Sequence, residues 1–156
     1  FILPLAGSQA WKTFDGKIGG AMNSIYELGS AIYSPKVPAS QDFYNKYKST
    51  FGKPIQGGHG VAPAYESVYI LAEAIERAGS LDPDAIVAEL KKTDRKGVMG
   101  RVRYDEGNQA IYGTDPSENA IGLVFQWTED GQRKIVFPAS VAEAKIQLPP
   151  GLKSLK

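Results

Sequence analysis

The chain has 156 residues, 42% of them apolar and 22% charged, which is the composition of an ordinary globular domain long enough to build a real core. Lys and Arg number 18 against 17 Asp and Glu, and the signs alternate along the chain, which excludes the concentrated basic face that nucleic acid requires. Cysteine is absent, which removes disulfides, thiolate catalysis and cysteine metal sites; no apolar run approaches the roughly 18 residues of a membrane-spanning helix.

Phe1 to Leu5 reads as the end of a buried strand, closed by Pro4 and Gly7. The chain opens inside this apolar segment without an initiator Met, a basic n-region or a cleavage motif, so it is expected to be cut from a larger protein with any signal peptide upstream. Ser8 to Phe14 is polar around Trp11 and suits a helical turn. Lys17 to Ile25, which passes through Gly19-Gly20, suits a second strand in a tight place. Tyr33 to Ser40, with Pro35 and Pro38, is expected to be a loop.

The spacing of Phe43, Tyr47 and Phe51 predicts a helix capped by Ser40 and ended by Gly52 and Pro54, with its aromatic stripe packed in the core. Gly57-Gly58-His59-Gly60 is a flexible loop leading into the clearest helix of the chain. There Tyr65, Val68, Tyr69, Ala72 and Ile75 form the expected buried stripe, and Glu66, Glu73, Glu76 and Arg77 fall on other, solvated faces. After Gly79, Asp82 and Pro83 start a third helix, with Leu81 placed to staple against Ile86. Its buried face is Ile86, Val87 and Leu90, with Lys91-Lys92 at the negative end of the dipole.

From Gly97 the period becomes two. Val98, Gly100, Val102 and Tyr104 alternate with Met99, Arg101 and Arg103, which predicts one strand ending in the turn Asp105-Glu106-Gly107-Asn108. Ile121 to Trp127 and Arg133 to Phe137 read as a hairpin joined through Glu129-Asp130-Gly131, and the tail around Pro149-Pro150-Gly151 should fray. Helices alternating with strands before a closing hairpin make this an α/β protein.

The ordered set Ala64-Tyr65-Glu66-Ser67-Val68-Tyr69, Leu71-Ala72-Glu73-Ala74-Ile75, Ala78-Gly79-Ser80 and Asp82-Pro83-Asp84-Ala85-Ile86 resembles the late helices of type I solute-binding proteins that feed ABC transporters. Val98 to Asp105, Phe125-Gln126-Trp127 through Gly131 to Phe137-Pro138, and Phe43 to Pro54 resemble the same family in the same order. The resemblance spans Phe1 to about Pro138 and is to the branched-chain amino-acid-binding, or leucine-isoleucine-valine-binding, group. It implies an α/β type I periplasmic-binding-protein fold, of which this chain is the C-terminal portion, contributing to two Rossmann-like lobes joined by crossing strands. Residues 1–25 are then expected in the C-terminal lobe, 26–97 in the N-terminal lobe, 98–138 in the C-terminal lobe and hinge, and 139–156 in a tail.

The same resemblance implies an extracytoplasmic component of an ABC importer, periplasmic or extracellular, that is no enzyme. It would use no cofactor and no metal, and would not insert in a membrane. Its partners would be a small-molecule ligand, the permease subunits and the missing N-terminal half of the same protein. A ligand-sensing receptor or regulator of the same fold is the alternative, with an enzyme domain behind it. Two sheets with exposed edges predict that the piece needs the missing half, or another copy, to fold; a monomeric, cooperatively unfolding 156-residue chain would contradict the lobe assignment.

By the resemblance the ligand site comprises Leu5, Ala6 and Gly7 after the first strand and His59 and Gly60 before the Tyr65 helix. Amino-acid-binding relatives place an acid after that first strand to hold the ligand ammonium, whereas here no carboxylate occurs before Asp15. A buried ammonium without a carboxylate costs several kcal/mol, so either the ligand is a carboxylate or amide lacking the amine, or the acid comes from elsewhere in the fold. His59, the single histidine, either donates to a ligand carboxylate or is an exposed loop residue without a role. Trp11 suits lobe packing, and Tyr26 and Tyr33 bracket the expected crossing between lobes. With one His, no Cys, no G-x-S-x-G and no phosphate-binding glycine pattern, enzyme chemistry has little to work with, and Glu73 and Glu76 read as a solvated face.

Overall fold

A computed structural model of the protein describes residues 2–4, 26–30, 34–53, 55, 60–127 and 133–147. In chain order these form β1 (Ile2–Pro4), β2 (Tyr26–Ser30), α1 (Pro38–Phe51), α2 (Val61–Ala78), α3 (Pro83–Leu90), β3 (Asp94–Gly97), β4 (Gly100–Arg103), β5 (Tyr112–Gly113), β6 (Ala120–Trp127) and β7 (Arg133–Phe137). The strand expected over 17–25 falls outside the described residues.

α1 starts at Pro38, whose fixed φ suits the first helical position, with Val37 as the flanking residue. Ser40 is therefore not the N-cap. Its buried hydroxyl instead accepts the Ser34 N–H at 3.1 Å and fastens the preceding turn. Gly52 ends α1 at φ 67, as its type predicts. Phe43 packs on the core and against Tyr65, ring centres 4.4 Å apart, but Tyr47 and Phe51 stack on each other and Phe51 stays exposed. Only one residue of the aromatic stripe is thus core.

α3 is capped as expected, with Asp82 Oδ1 accepting the Ala85 N–H at 3.0 Å, although Leu81 remains exposed and makes no staple. The segment from Gly97 is not one strand but the second half of a hairpin. β3 and β4 pair antiparallel from Asp94↔Arg103 to Gly97↔Gly100, and Val98-Met99 form the two-residue turn. Alternation fails there because both turn residues plug the core, leaving Met99 only 6% exposed.

Among the described residues β6 organises a seven-stranded sheet, whose order is β1-β2-β6-β4-β3 with β5 and β7 also pairing β6. Its first residues meet β4 and β5, through Ala120↔Gly100, Tyr112↔Ala120 and Gly113↔Ile121. From Gly122 onward it pairs instead with β2, and from Val124 with β7. Two cores follow this division. Ala120 closes one with Ala62, Ile70, Val98, Met99 and Val102, while Ile121 opens the other with Val37, Leu123, Phe125, Ile135 and Val141. One continuous strand therefore crosses from one packed unit into the next at the Ala120–Ile121 step.

Ile121 is 2% exposed, and its N–H donates to Met99 O at 3.0 Å across the join. Ile121→Ala should cost about 3 kcal/mol of unfolding free energy in a urea titration, since truncation at a filled site removes transfer energy and leaves a void. A loss below about 1 kcal/mol would mean that the join is loosely packed.

The tail is held as far as residue 147. Val141 is buried, Glu143 Oε2 accepts the Ile135 N–H at 3.1 Å, and the Gln126 amide exchanges two hydrogen bonds with the Gln147 backbone. The Pro149-Pro150-Gly151 stretch lies outside the described residues.

Candidate functional site

Of the expected ligand-contacting residues, Leu5, Ala6, Gly7 and His59 lie outside the described residues. Gly60 is described. It is exposed, has φ −92 and ψ −22, and its carbonyl accepts the Ala64 N–H at 3.1 Å as the first bond of α2. That conformation needs no glycine, and a Cβ there would meet nothing within 4 Å. The room beside the start of α2, rather than backbone freedom, is what Gly60 supplies.

The backbone around the other expected contacts has a definite frame. β1 and β2 run parallel, with Ile2↔Tyr26 through Pro4↔Leu28, and the carboxyl end of β1 is Pro4. Ligands of open α/β sheets gather at such strand ends.

α2 buries only part of the face its periodicity predicts: Tyr65 packs against the core and Ile75 is half-buried. Ala62, Glu66, Ile70 and Ala74 are buried, whereas Val68, Tyr69 and Leu71 are exposed, Val68 by 67%. Glu66 is thus not on a solvated face: it is 1% exposed beneath the β3–β4 hairpin. Its Oε2 takes Arg95 Nε at 2.7 Å and its Oε1 accepts the Val98 N–H. Arg95 also bonds Glu73 and lies over the Tyr69 ring, 4.8 Å from the centroid. Gly97 is required for this arrangement, because a Cβ there would overlap the Glu66 carboxylate. The carboxylate is buried at tolerable cost because a guanidinium and a backbone N–H satisfy it.

A second ion pair is exposed. Arg101 makes a bidentate bond to Asp94 at 2.6 and 2.7 Å and a third to Glu118 at 3.1 Å. The guanidinium holds the Asp94 carboxyl below the usual carboxylate range. Both networks fix the hairpin, and neither offers an unpaired acid or base for catalysis. Among the described residues no group of His, Cys, Asp and Glu could hold a metal ion, and no helix is long and apolar enough to cross a membrane. Two open cavities of about 340 and 350 Å³ lie beside the sheet. One is lined by Lys36, Pro38, Lys96 and Pro116 among others, the second by Val87, Leu90, Lys91, Tyr104 and Asn108.

The described residues form an open α/β sheet whose central strand serves two cores. Comparison with known proteins makes the class definite. A family model described as periplasmic binding protein matches residues 3–132, and the chain belongs to that family. Its fold is the type I periplasmic-binding-protein fold. The Leu/Ile/Val-binding protein homolog 7 of Brucella melitensis is 27% identical over 123 residues, which cover 76% of this chain and 29% of that protein. A leucine binding protein LivK from Thermotoga maritima superposes with a TM-score of 0.59 at 26% identity, over 80% of this chain and 33% of that one. A branched-chain amino acid ABC transporter protein from Silicibacter pomeroyi gives a TM-score of 0.74 over 96% of this chain and 40% of its own, at 18% identity, a likeness of fold. The chain spans less than a third of the length of the curated relatives it matches.

Proposed function

We propose that this chain is the C-terminal part of an extracytoplasmic solute-binding component of an ABC importer, which closes two lobes on a small aliphatic ligand and presents the closed form to permease subunits. The observation that carries the reading is β6, one strand whose two ends belong to two cores and which can therefore flex between them. The relatives' names, which speak of leucine, isoleucine and valine, support the ligand class. In the lobe scheme residues 1–25 belong to the C-terminal lobe, the helices belong to the N-terminal lobe, and 98–138 return through the hinge. The packing of Val98, Met99 and Val102 with α2 favours carrying the helical lobe on to Ala120. A periplasmic or extracellular location goes with this role, as does dependence on the half of the protein that the relatives possess before this region.

Calorimetry of the complete protein with leucine and with 4-methylpentanoate, which is leucine without its amine, tests the reading. Low-micromolar binding of either supports it, and leucine binding would show that an acid outside the first strand's loop holds the ammonium. Binding of neither at about 1 mM would refute the ligand class. His59→Ala should weaken the better ligand at least about tenfold if the imidazole donates to its carboxylate. An unchanged dissociation constant would dismiss His59.

A further inference from the structure

The face of α2 that meets the hairpin is the poorer of its two apolar faces. Tyr65, Val68, Tyr69, Ala72 and Ile75 make the wider stripe, yet the fully buried residues are Ala62, Glu66, Ile70 and Ala74, of which Ala62, Glu66 and Ile70 meet the hairpin, and of the stripe Tyr65 packs against that core. At 100° per residue the two faces lie roughly 140° apart round the helix axis. Apolar burial alone would turn the wider stripe inward. What holds the observed orientation is a row at i, i+3 and i+7, Glu66, Tyr69 and Glu73, which cups the Arg95 guanidinium, while the Val98 N–H and the missing Cβ of Gly97 accommodate the Glu66 carboxylate. A rolled helix would strand Arg95 and this N–H without partners.

We propose that the Glu66–Arg95 pair is an orientation lock: it selects which side of α2 faces the hairpin and thereby keeps Val68, Leu71 and Ala72 outward as the docking face for the preceding half of the protein. The occupant follows from length, since the chain matches only 23 to 40% of its relatives' lengths and a single outward stripe of this kind is covered by the remainder of the same molecule. This second clause rests on the two-lobe reading. A buried ion pair is seldom retained for its energy, because apolar residues of similar size commonly do as well, whereas fixing one arrangement among competitors is its best-attested use.

The test uses the complete protein and its amide spectrum by NMR. In the wild type and in Glu66→Gln, which keeps an acceptor for the Val98 N–H, α2 and the 98–100 turn should give one set of resonances. In the double variant Glu66→Leu with Arg95→Met a second set should appear, at about a tenth of the intensity or more. Gly97→Ala, which drives the carboxylate out of its seat, should split the same resonances. A single wild-type-like set in both altered proteins overturns the lock. Failure of both to fold while Glu66→Gln folds also overturns it, since the pair would then be a stability element alone. Val68→Asp separates the other clause: a lowered urea midpoint supports the covered stripe, while an unchanged midpoint overturns the docking face alone, leaving the two-lobe reading to the ligand calorimetry and the spectral result to stand.

Discussion

Glu66→Ala is expected to lower the unfolding free energy by about 3–5 kcal/mol, measured by urea denaturation of the complete protein, while Glu66→Gln should lower it by about 1–2 kcal/mol. Alanine removes the acceptor of Arg95 Nε and of the Val98 N–H together. Arg95 has only 20% of its side chain exposed, so water cannot readily replace the lost carboxylate, and Glu73, the remaining partner, is itself partly solvated. The Val98 N–H sits at the hairpin turn against the core, where an unsatisfied donor adds its own desolvation penalty. Glutamine keeps the shape and one acceptor and loses the charge, which explains the smaller figure. A loss under about 1 kcal/mol for Glu66→Ala would mean that water reaches the site and that the pair behaves as a surface bridge.

The same residue shows where sequence reading succeeds and where it stops. Local signals point the right way where the cause is local: Asp82-Pro83 starts α3, Gly52 and Gly79 end α1 and α2 at positive φ, and Asn108 turns at φ 61 inside the expected Asp105–Asn108 turn. The strands from Ala120 and from Arg133 pair as the hairpin that the pattern suggests. Glu66 defeats the pattern because a lone carboxylate in a helical repeat counts as outward, and its compensation, Arg95, lies 29 residues away. With Glu66 buried, Val68, Tyr69 and Ala72 of the expected stripe are exposed while Tyr65 still packs on the core, so one non-local ion pair shifts the reading of much of the helix.

The β3–β4 hairpin is hidden for a related reason. The even positions Val98, Gly100 and Val102 read as one strand in the sequence, but the two-residue turn shifts parity, so that Gly97 faces Gly100 and Arg95 faces Val102, and both turn residues are buried. Neither does the sequence mark β6 as a strand shared by two cores, since Ala120 and Ile121 are consecutive apolar residues, both buried but in different cores, and in the sequence they read as one ordinary apolar run. As for the ligand site, the positions from Leu5 to Gly7, His59 and Gly60 come from the family resemblance and not from any local pattern. Of the five, Gly60 alone falls among the described residues, at the start of α2.

Gly100→Ala is expected to be at least as damaging, costing about 3 kcal/mol or more, and for a reason that side-chain repacking cannot relieve. Gly100 has φ +89, outside the range an L side chain adopts comfortably, and an added Cβ would stand 2.5 Å from the Asn119 carbonyl oxygen and 3.0 Å from that of Pro116. Both oxygens accept the Arg101 N–H, at 3.1 and 3.0 Å, so moving them away breaks the bond that seats β4 against the loop before β6. The damage would reach the strand that joins the two cores, because Gly100 pairs with Ala120 and the adjacent Met99 carbonyl takes the Ile121 N–H. Gly122→Ala is the matched control: this residue lies two positions beyond Ala120 on the same strand, an added Cβ would meet nothing within 4 Å, and stability should change by less than about 1 kcal/mol. Thermal and urea midpoints of the two variants in the complete protein decide the matter. Equal midpoints would mean that the turn can reopen around Gly100, and that the join between the cores is soft at its β4 side, whereas a large fall for Gly100→Ala alone shows that the turn beside the join is fixed.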